Sequence, residues 1–574
     1  MSLKIQKHLC ELGFECIPDM LFDNICLFVI LKIDKKDIKL VLFNEEPFTA
    51  MPRFFLLDPK RYGKLAHVML SKVKGIILGS ICVNDRDSVS VNFARPELAV
   101  EESLKRHHAL LESAITNEEW NERELLREFY SNWLQICDLY EKQLLVSCAD
   151  TSLQRLNVYS PIVDVKYGIN SHYLVEPKDK TLSAISELRY SAKNTKRAFA
   201  GKAIVVPIAT LKPAPNLDES LEEWYLQTIQ ELPEVTKISL QHFGQWRDKN
   251  YWVIFTAVTI ADDRTWFAVK LTSTVKKTLP TTLDKFNGWK IKALSVRMFS
   301  HENVVSRGGG NPSLKGKRVA LVGAGSVGCE IAHKLSAAGV SDLTIFDSDV
   351  YTMDNLHRHI LPQSFVEYSK SAALTLMLHN QFIWSDATYS LKELLNIHEN
   401  NNYLSNYDLI IIAIGRPTHE LLFKQYLLDH EIDIPVINCW LEGFGVGGHA
   451  VLDIPESKGC LLCSYVCQES GRRGLNSNLN FIEQNQNITK NIAGCGEQFI
   501  TYGSVCSAQT ALMATDLAIK FLEEKITDSC KVSWKGDDFD ANEEKVSLTH
   551  RYYKFDSSLN RLPLLDRDCD VCNG

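Results

Sequence analysis

Gly323-Ala324-Gly325-Ser326-Val327-Gly328 stands between an apolar run, Arg318 to Val322, and a helical pattern, Cys329 to Ala338. Glycines at such a junction let backbone N–H groups approach a phosphate at a helix N-terminus, where the peptide dipoles favour negative charge. Asp347 follows about twenty residues later at the end of a second apolar run, where a carboxylate can accept hydrogen bonds from ribose hydroxyls. Gly323, Gly325, Gly328 and Asp347 serve NAD as well as ATP. The residues just beyond them discriminate: Asn355-Leu356-His357-Arg358 and then Lys370 bring positive charge suited to a triphosphate and to a pentavalent α-phosphate. Hydride transfer has no need of those charges.

The thiols form the next group. Cys460-Leu461-Leu462-Cys463 and Cys569-Asp570-Val571-Cys572 each present two thiolates at the spacing that closes a tetrahedral zinc site, here a structural one. Sixteen cysteines scattered through 574 residues, with no apolar export signal at the start, read as metal ligands and reactive thiols rather than disulfides. Cys495 sits among small residues in Ala493-Gly494-Cys495-Gly496. Cys506, close by, falls inside a helical pattern from about Ser504 to Leu522, and Cys82 ends the run Gly79-Ser80-Ile81.

The elements that must position these groups fall into three parts. Residues 1–150 read as an α+β unit, with β-rich runs up to Val83 followed by a Glu/Leu/Arg-rich helical stretch from about Pro96 to Glu141. Residues 151–302 alternate strand-like runs with polar turns, include a helix near Leu217 to Leu232, and hold no chemical motif; they read as an α+β linker domain. Ser306 to Leu314, with Gly308, Gly309, Gly310 and Pro312, reads as a flexible connector. Residues 303–574 then repeat strand and helix, with strands at Leu409 to Ala413 and Pro435 to Asn438, so a doubly wound parallel sheet is expected there. The fold class is α/β with these additional α+β units.

A net charge of −8, with no basic cluster interleaved with aromatics, argues against nucleic acid as a partner. The apolar runs are far shorter than the roughly 20 residues that span a bilayer. A soluble cytoplasmic protein is the expectation.

Over about 265 residues, Arg307 to Gly574, the constellation resembles the adenylation domain of MoeB, ThiF and the ubiquitin-activating enzymes. The resemblance implies ATP as cofactor, with Asp347 as ribose ligand, Asn355 and Arg358 as phosphate and transition-state contacts, and Lys370 as polyphosphate anchor. Arg307 resembles the arginine that such homodimers donate into the partner's ATP site. The four cysteines Cys460, Cys463, Cys569 and Cys572 match the family's Zn2+ arrangement, and Cys495 its catalytic cysteine, with Cys506 as the alternative. One departure concerns Mg2+: the family's acid after the strand at Leu409 to Ala413 is Gly415 here, which leaves phosphates, water and another acid such as Asp349 to hold the ion.

In the first unit, Phe43-Asn44-Glu45-Glu46-Pro47, Pro52 and Gly79-Ser80-Ile81-Cys82-Val83 resemble a ubiquitin-conjugating domain, which implies that Cys82 accepts a thioester. The family's His-Pro-Asn ahead of the cysteine is missing, and His67 reads as a structural or surface residue. A conjugating-like domain, a linker and an activating-like domain in one chain are similar to the fusion enzymes of bacterial CBASS antiphage operons. That likeness implies adenylation of the C-terminal carboxylate of a cGAS/DncV-like nucleotidyltransferase, or of a ubiquitin-like protein, and ligation to a target amine through Cys495 and then Cys82. Two other readings stand beside it: a ThiF-class sulfur-carrier adenylyltransferase with an unrelated N-terminal domain, and a nucleotide-binding protein without turnover.

Overall fold

The computed structural model describes residues 3–565 except 23, 44–47, 84–90, 92, 94, 139–140, 142, 148–149, 163–171, 178–195, 246, 261–262, 395–403, 468–471, 474–480, 485, 487, 492–497 and 557–561. The chain forms two compact units, Met1–Ser300 and His301–Gly574.

The first unit opens with helix α1 (Leu3–Glu11), which buries Ile5 and Leu9. Six antiparallel strands follow: β1 (Glu15–Leu21), β2 (Asn24–Ile33), β3 (Lys36–Phe43), β4 (Phe54–Leu57), β5 (Val68–Val73) and β6 (Ile76–Ile81), in the order β1-β2-β3-β4-β6-β5. Asp34-Lys35 and Lys74-Gly75, all at positive φ, close the β2–β3 and β5–β6 hairpins in the two-residue form whose twist matches the strands. Helix α2 (Pro96–Thr116) starts on a proline whose missing N–H costs nothing there, and lays Val100, Leu104 and Leu111 on the sheet. The helical stretch then breaks into α3 (Glu118–Arg127), capped by the Asn117 side chain, and α4 (Phe129–Ile136).

Strands β7 (Gln143–Val146), β8 (Gln154–Ile162), β9 (His172–Pro177), β10 (Lys196–Pro207), β11 (Asp248–Val258), β12 (Arg264–Lys277) and β13 (Trp289–Met298) close into a barrel, ordered β10-β11-β12-β13-β7-β9-β8. On β11 every residue from Tyr251 to Ala257 is buried. Tyr251, Val253 and Phe255 face the layer formed by α4, α5 (Leu221–Gln230) and α6 (Glu234–Gly244), while Trp252 and Ile254 join a second apolar cluster with Leu144, Val158 and Ala268. Burial on both faces explains why this strand reads as one continuous apolar run.

In the second unit, α7 (His301–Arg307) leads into β14 (Arg318–Val322), α8 (Ser326–Ala338), β15 (Asp342–Phe346), α9 (Lys370–Gln381), β16 (Thr388–Ser390), β17 (Leu409–Ile412), α10 (Pro417–Asp429), β18 (Val436–Leu441), β19 (Gly447–Asp453), α11 (Ser504–Leu522), β20 (Cys530–Lys535) and β21 (Leu562–Pro563). The sheet runs β16-β15-β14-β17-β18-β19-β20-β21. It is parallel from β16 through β18, as expected, and then turns antiparallel at β19. Alternate residues of β14 serve opposite faces: Val319 and Leu321 pack with α8 and α11, Ala320 and Val322 with α10. The glycine connector is not loose. Gly310 N–H donates to Val305 O at 2.9 Å, Asn311 N–H to Ala338 O at 2.8 Å, and the Asn311 amide to Glu523 at 2.7 Å. Gly310 is there for close approach, since a Cβ on it would lie 2.7 Å from the Ala338 carbonyl oxygen.

Candidate functional site

In the second unit, β15 lies on one side of β14 and β17 on the other, so the chain switches direction between β14 and β17, and a crevice opens at the C-terminal ends of these strands. The cleft there encloses about 650 Å³ with its open mouth included, and is lined by Gly323, Gly325, Asp347, Asp349, Lys370, Lys392, Glu393, Arg416 and His419 among others. Gly323 turns the chain at φ +96°, and a Cβ would lie 2.7 Å from the Ala413 carbonyl oxygen. Gly328 serves packing instead: a Cβ there would overlap the Gly323 carbonyl.

Asp347 holds both rims of the cleft. Its two oxygens accept N–H bonds from Ala324 at 2.6 Å and Asp349 at 2.7 Å. Burial pushes its carboxyl upward, opposed by those two bonds and by the charge on Lys370. Lys370 opens α9, and its ammonium meets Asp349 at 2.9 Å. On the glycine loop, His359 Nε2–H donates to the Ala324 carbonyl at 2.6 Å while Nδ1 accepts the Leu361 N–H at 3.2 Å, which fixes the neutral tautomer. Burial brings its pKa down to about 4.

Asn355 and Arg358 stand outside the lining of this cleft. The Asn355 side-chain oxygen caps its own turn, accepting from the Thr352 N–H at 3.2 Å, and the Arg358 guanidinium lies 5.7 Å from the centre of the Tyr502 ring. The Tyr502 hydroxyl is 3.0 Å from Ser326 Oγ at the first turn of α8, so this aromatic ties Arg358 to the glycine-loop helix. Arg307 ends α7, exposed and away from the cleft lining.

Sequence reasoning passed over Arg416, His419 and Glu420. After β17, Gly415 takes φ +61° and Pro417 starts α10, leaving Arg416 at the cleft wall. Glu420, buried, accepts the Arg416 N–H at 3.1 Å and the Asn438 amide at 3.1 Å. Burial raises its pKa to about 7 against those bonds. The missed signal was positional: residues just past the C-terminal ends of parallel strands are the ones a bound ligand meets.

Each Asp347 oxygen accepts one backbone N–H, Asp349 is paired with Lys370, Glu393 accepts from the Ser348 hydroxyl at 3.3 Å, and position 415 has no side chain. No group of three or more metal-binding side chains occurs among the described residues. Cys460 and Cys463 are both buried on the turn after β19, where the Cys463 N–H donates to the Cys460 carbonyl at 3.0 Å. Two buried thiols on one turn fit half of a tetrahedral zinc set. Cys569 and Cys572, named as the other half, lie outside the described residues, as does Cys495. Cys506 is half-buried in the first turn of α11, and burial pushes its thiol up.

Cys82 is exposed at the end of β6, and its N–H donates to the His67 carbonyl at 2.8 Å. His67 is itself clamped: its N–H donates to Glu128 at 3.1 Å, and its ring Nδ1 lies 2.6 Å from Glu128 and Nε2 3.6 Å from Glu124. The Glu128 hydrogen bond raises the imidazole pKa against burial. No described helix is long and apolar enough to cross a membrane.

The sequence model of the ThiF family matches residues 303–565. The ATP-dependent ubiquitin transferase-like protein Cap2 of Vibrio cholerae is 25% identical over 252 residues, 42% of this chain and 42% of that protein. The adenylyltransferase and sulfurtransferase uba4 of Aspergillus terreus is 34% identical over 154 residues, 25% of this chain and 30% of its own. This chain therefore spans less than half the length of the curated relatives it matches. The crystal structure of E. coli MccB with ATP aligns over 47% of this chain and 69% of its own at 14% identity, with a TM-score of 0.31. Residues 303–565 of this chain, which carry the glycine loop, Asp347 and the parallel sheet, match the ThiF family.

Proposed function

We propose that this chain activates the C-terminal carboxylate of a partner protein with ATP and passes the acyl group through thioesters to an amine. The observation that carries the reading is the cleft at the β14/β17 switch point, where the glycine loop, Asp347 and Lys370 meet within a ThiF-family domain. The carboxylate oxygen attacks the α-phosphorus and pyrophosphate leaves. The Cys495 thiolate attacks the acyl carbon and AMP leaves. Cys82 exchanges for Cys495 at little free-energy change, and an amine then displaces the Cys82 thiolate and loses a proton as the amide forms. Asp347 would take the ribose, Lys370 the polyphosphate, and Arg358 and Asn355 the transferring phosphate. The relatives named ubiquitin transferase-like support this division of labour.

The finer assignments belong to the same reading: residues 1–150 as the conjugating-like domain, 151–302 as the linker, 303–574 as the activating domain, a structural zinc on Cys460, Cys463, Cys569 and Cys572, and a homodimer in which Arg307 reaches the partner's ATP. The donor is a cGAS/DncV-like nucleotidyltransferase or a ubiquitin-like protein in antiphage defence. The test is ATP/pyrophosphate exchange with the purified chain and candidate carrier proteins. Exchange that depends on an intact carrier C-terminus is expected; exchange indifferent to the carrier, or none with any carrier, overturns the reading.

A further inference from the structure

Among the charged groups lining the cleft, Arg416 stands apart. Lys370 is paired with Asp349 at 2.9 Å, whereas the Arg416 guanidinium makes no hydrogen bond or ion pair among the described residues. Its backbone is fixed. The Arg416 N–H is held by buried Glu420, Glu420 is held by Asn438 on β18, and Pro417 sets the start of α10. An exposed arginine on a fixed backbone, at the ligand-bearing end of a parallel sheet, presents a planar set of donors matched to phosphate oxygens. In the same cleft Asp347, Asp349 and Glu393 each already have a protein partner, and Gly415 offers no side chain.

We propose that Arg416 is a polyphosphate contact of the nucleotide site, supplying from the protein positive charge that a protein-held metal would otherwise bring. The proposal rests on the reading of this cleft as an ATP site. Any Mg2+ then arrives chelated by the nucleotide's own phosphates and water, with Arg416 and Lys370 reaching the phosphates as donors. Asp347, Asp349 and Glu393 line the same cleft as Arg416, and their charge opposes an unbalanced gathering of anions.

The experiment is calorimetric titration of the full chain, as wild type, Arg416→Ala and Arg416→Lys, with ATP and with adenosine, each in Mg2+ and in EDTA. Loss of a charge-assisted hydrogen bond should weaken ATP binding by about ten- to a hundredfold in Arg416→Ala. The loss should be as large in EDTA as in Mg2+, adenosine should bind as to wild type, and Arg416→Lys should recover part of the ATP affinity. Adenosine binding doubles as the check that the variant is folded. Equal losses for ATP and adenosine, or an ATP affinity unchanged in Arg416→Ala, overturn the proposal. Failure of the wild type to bind either ligand refutes the ATP-site reading itself, a different result from an Arg416→Ala variant that matches a wild type able to bind.

Discussion

Replacing Lys370 with alanine separates a functional role from a structural one, because the geometry gives different sizes to the two. The ammonium meets Asp349 at 2.9 Å, yet the Asp349 side chain is 62% exposed. An ion pair with one partner that far into water contributes roughly 0–1 kcal/mol. The backbone part of the contact, Lys370 N–H to the Asp349 carbonyl at 2.9 Å, survives the substitution. For a unit of this size the melting temperature should therefore fall by no more than about 2–4 °C. At the reacting phosphates the loss of a positioned cation costs about 2.7–4 kcal/mol of transition-state stabilisation, or roughly a hundred- to a thousandfold in rate. The assay pairs thermal melting with ATP/pyrophosphate exchange on the same preparation. Exchange within a few-fold of wild type refutes the assignment of Lys370, and a collapse in melting temperature alongside lost exchange shows that the residue acts on the fold.

Arg358→Ala should likewise lower exchange by about a hundredfold or more, and wild-type rates in that variant would remove Arg358 from the chemistry. Metal analysis should find about one zinc per chain, and Cys460→Ser should lower thermal stability while nucleotide still binds; protein purified without chelator that carries no zinc contradicts this. On a denaturing gel without reductant, Cys82→Ala should accumulate a carrier adduct on Cys495, whereas Cys495→Ala should load neither cysteine; normal conjugation by either variant excludes that cysteine from the relay. The His67 clamp has a pH signature. A histidine whose folded pKa is raised contributes stability in full below its unfolded value near 6.5, and loses it as pH rises through the folded value. The stability difference between wild type and Glu128→Gln should thus be larger at pH 6 than at pH 9, and an equal difference at both would show that the imidazolium is not what holds Glu128.

The second unit was legible because its signals are local. Strand, glycine turn, helix and acid follow one another within thirty residues, so Gly323 to Asp347 could be read without knowing what packs on them. The helix Ser504–Leu522 was equally plain, since its apolar residues run through five turns. Contacts made across the sheet left no such trace. Barrel closure depends on β7 pairing with β9 and β13, the latter about 150 residues away, and β7 alone is a four-residue stretch with three apolar residues like many others. Gly308 to Gly310 have the composition of a loose linker, and only the approach of the Ala338 carbonyl turned it into a fixed corner. His67 became the pairing partner of Cys82 through the β5–β6 register, and gained a carboxylate partner in Glu128 on the turn into α4. Arg416 entered the cleft at the strand ends because β17 lies beside β14. Sequence spacing carried what the backbone builds within one supersecondary unit; partners brought together by sheet order and burial existed only once the chain was packed.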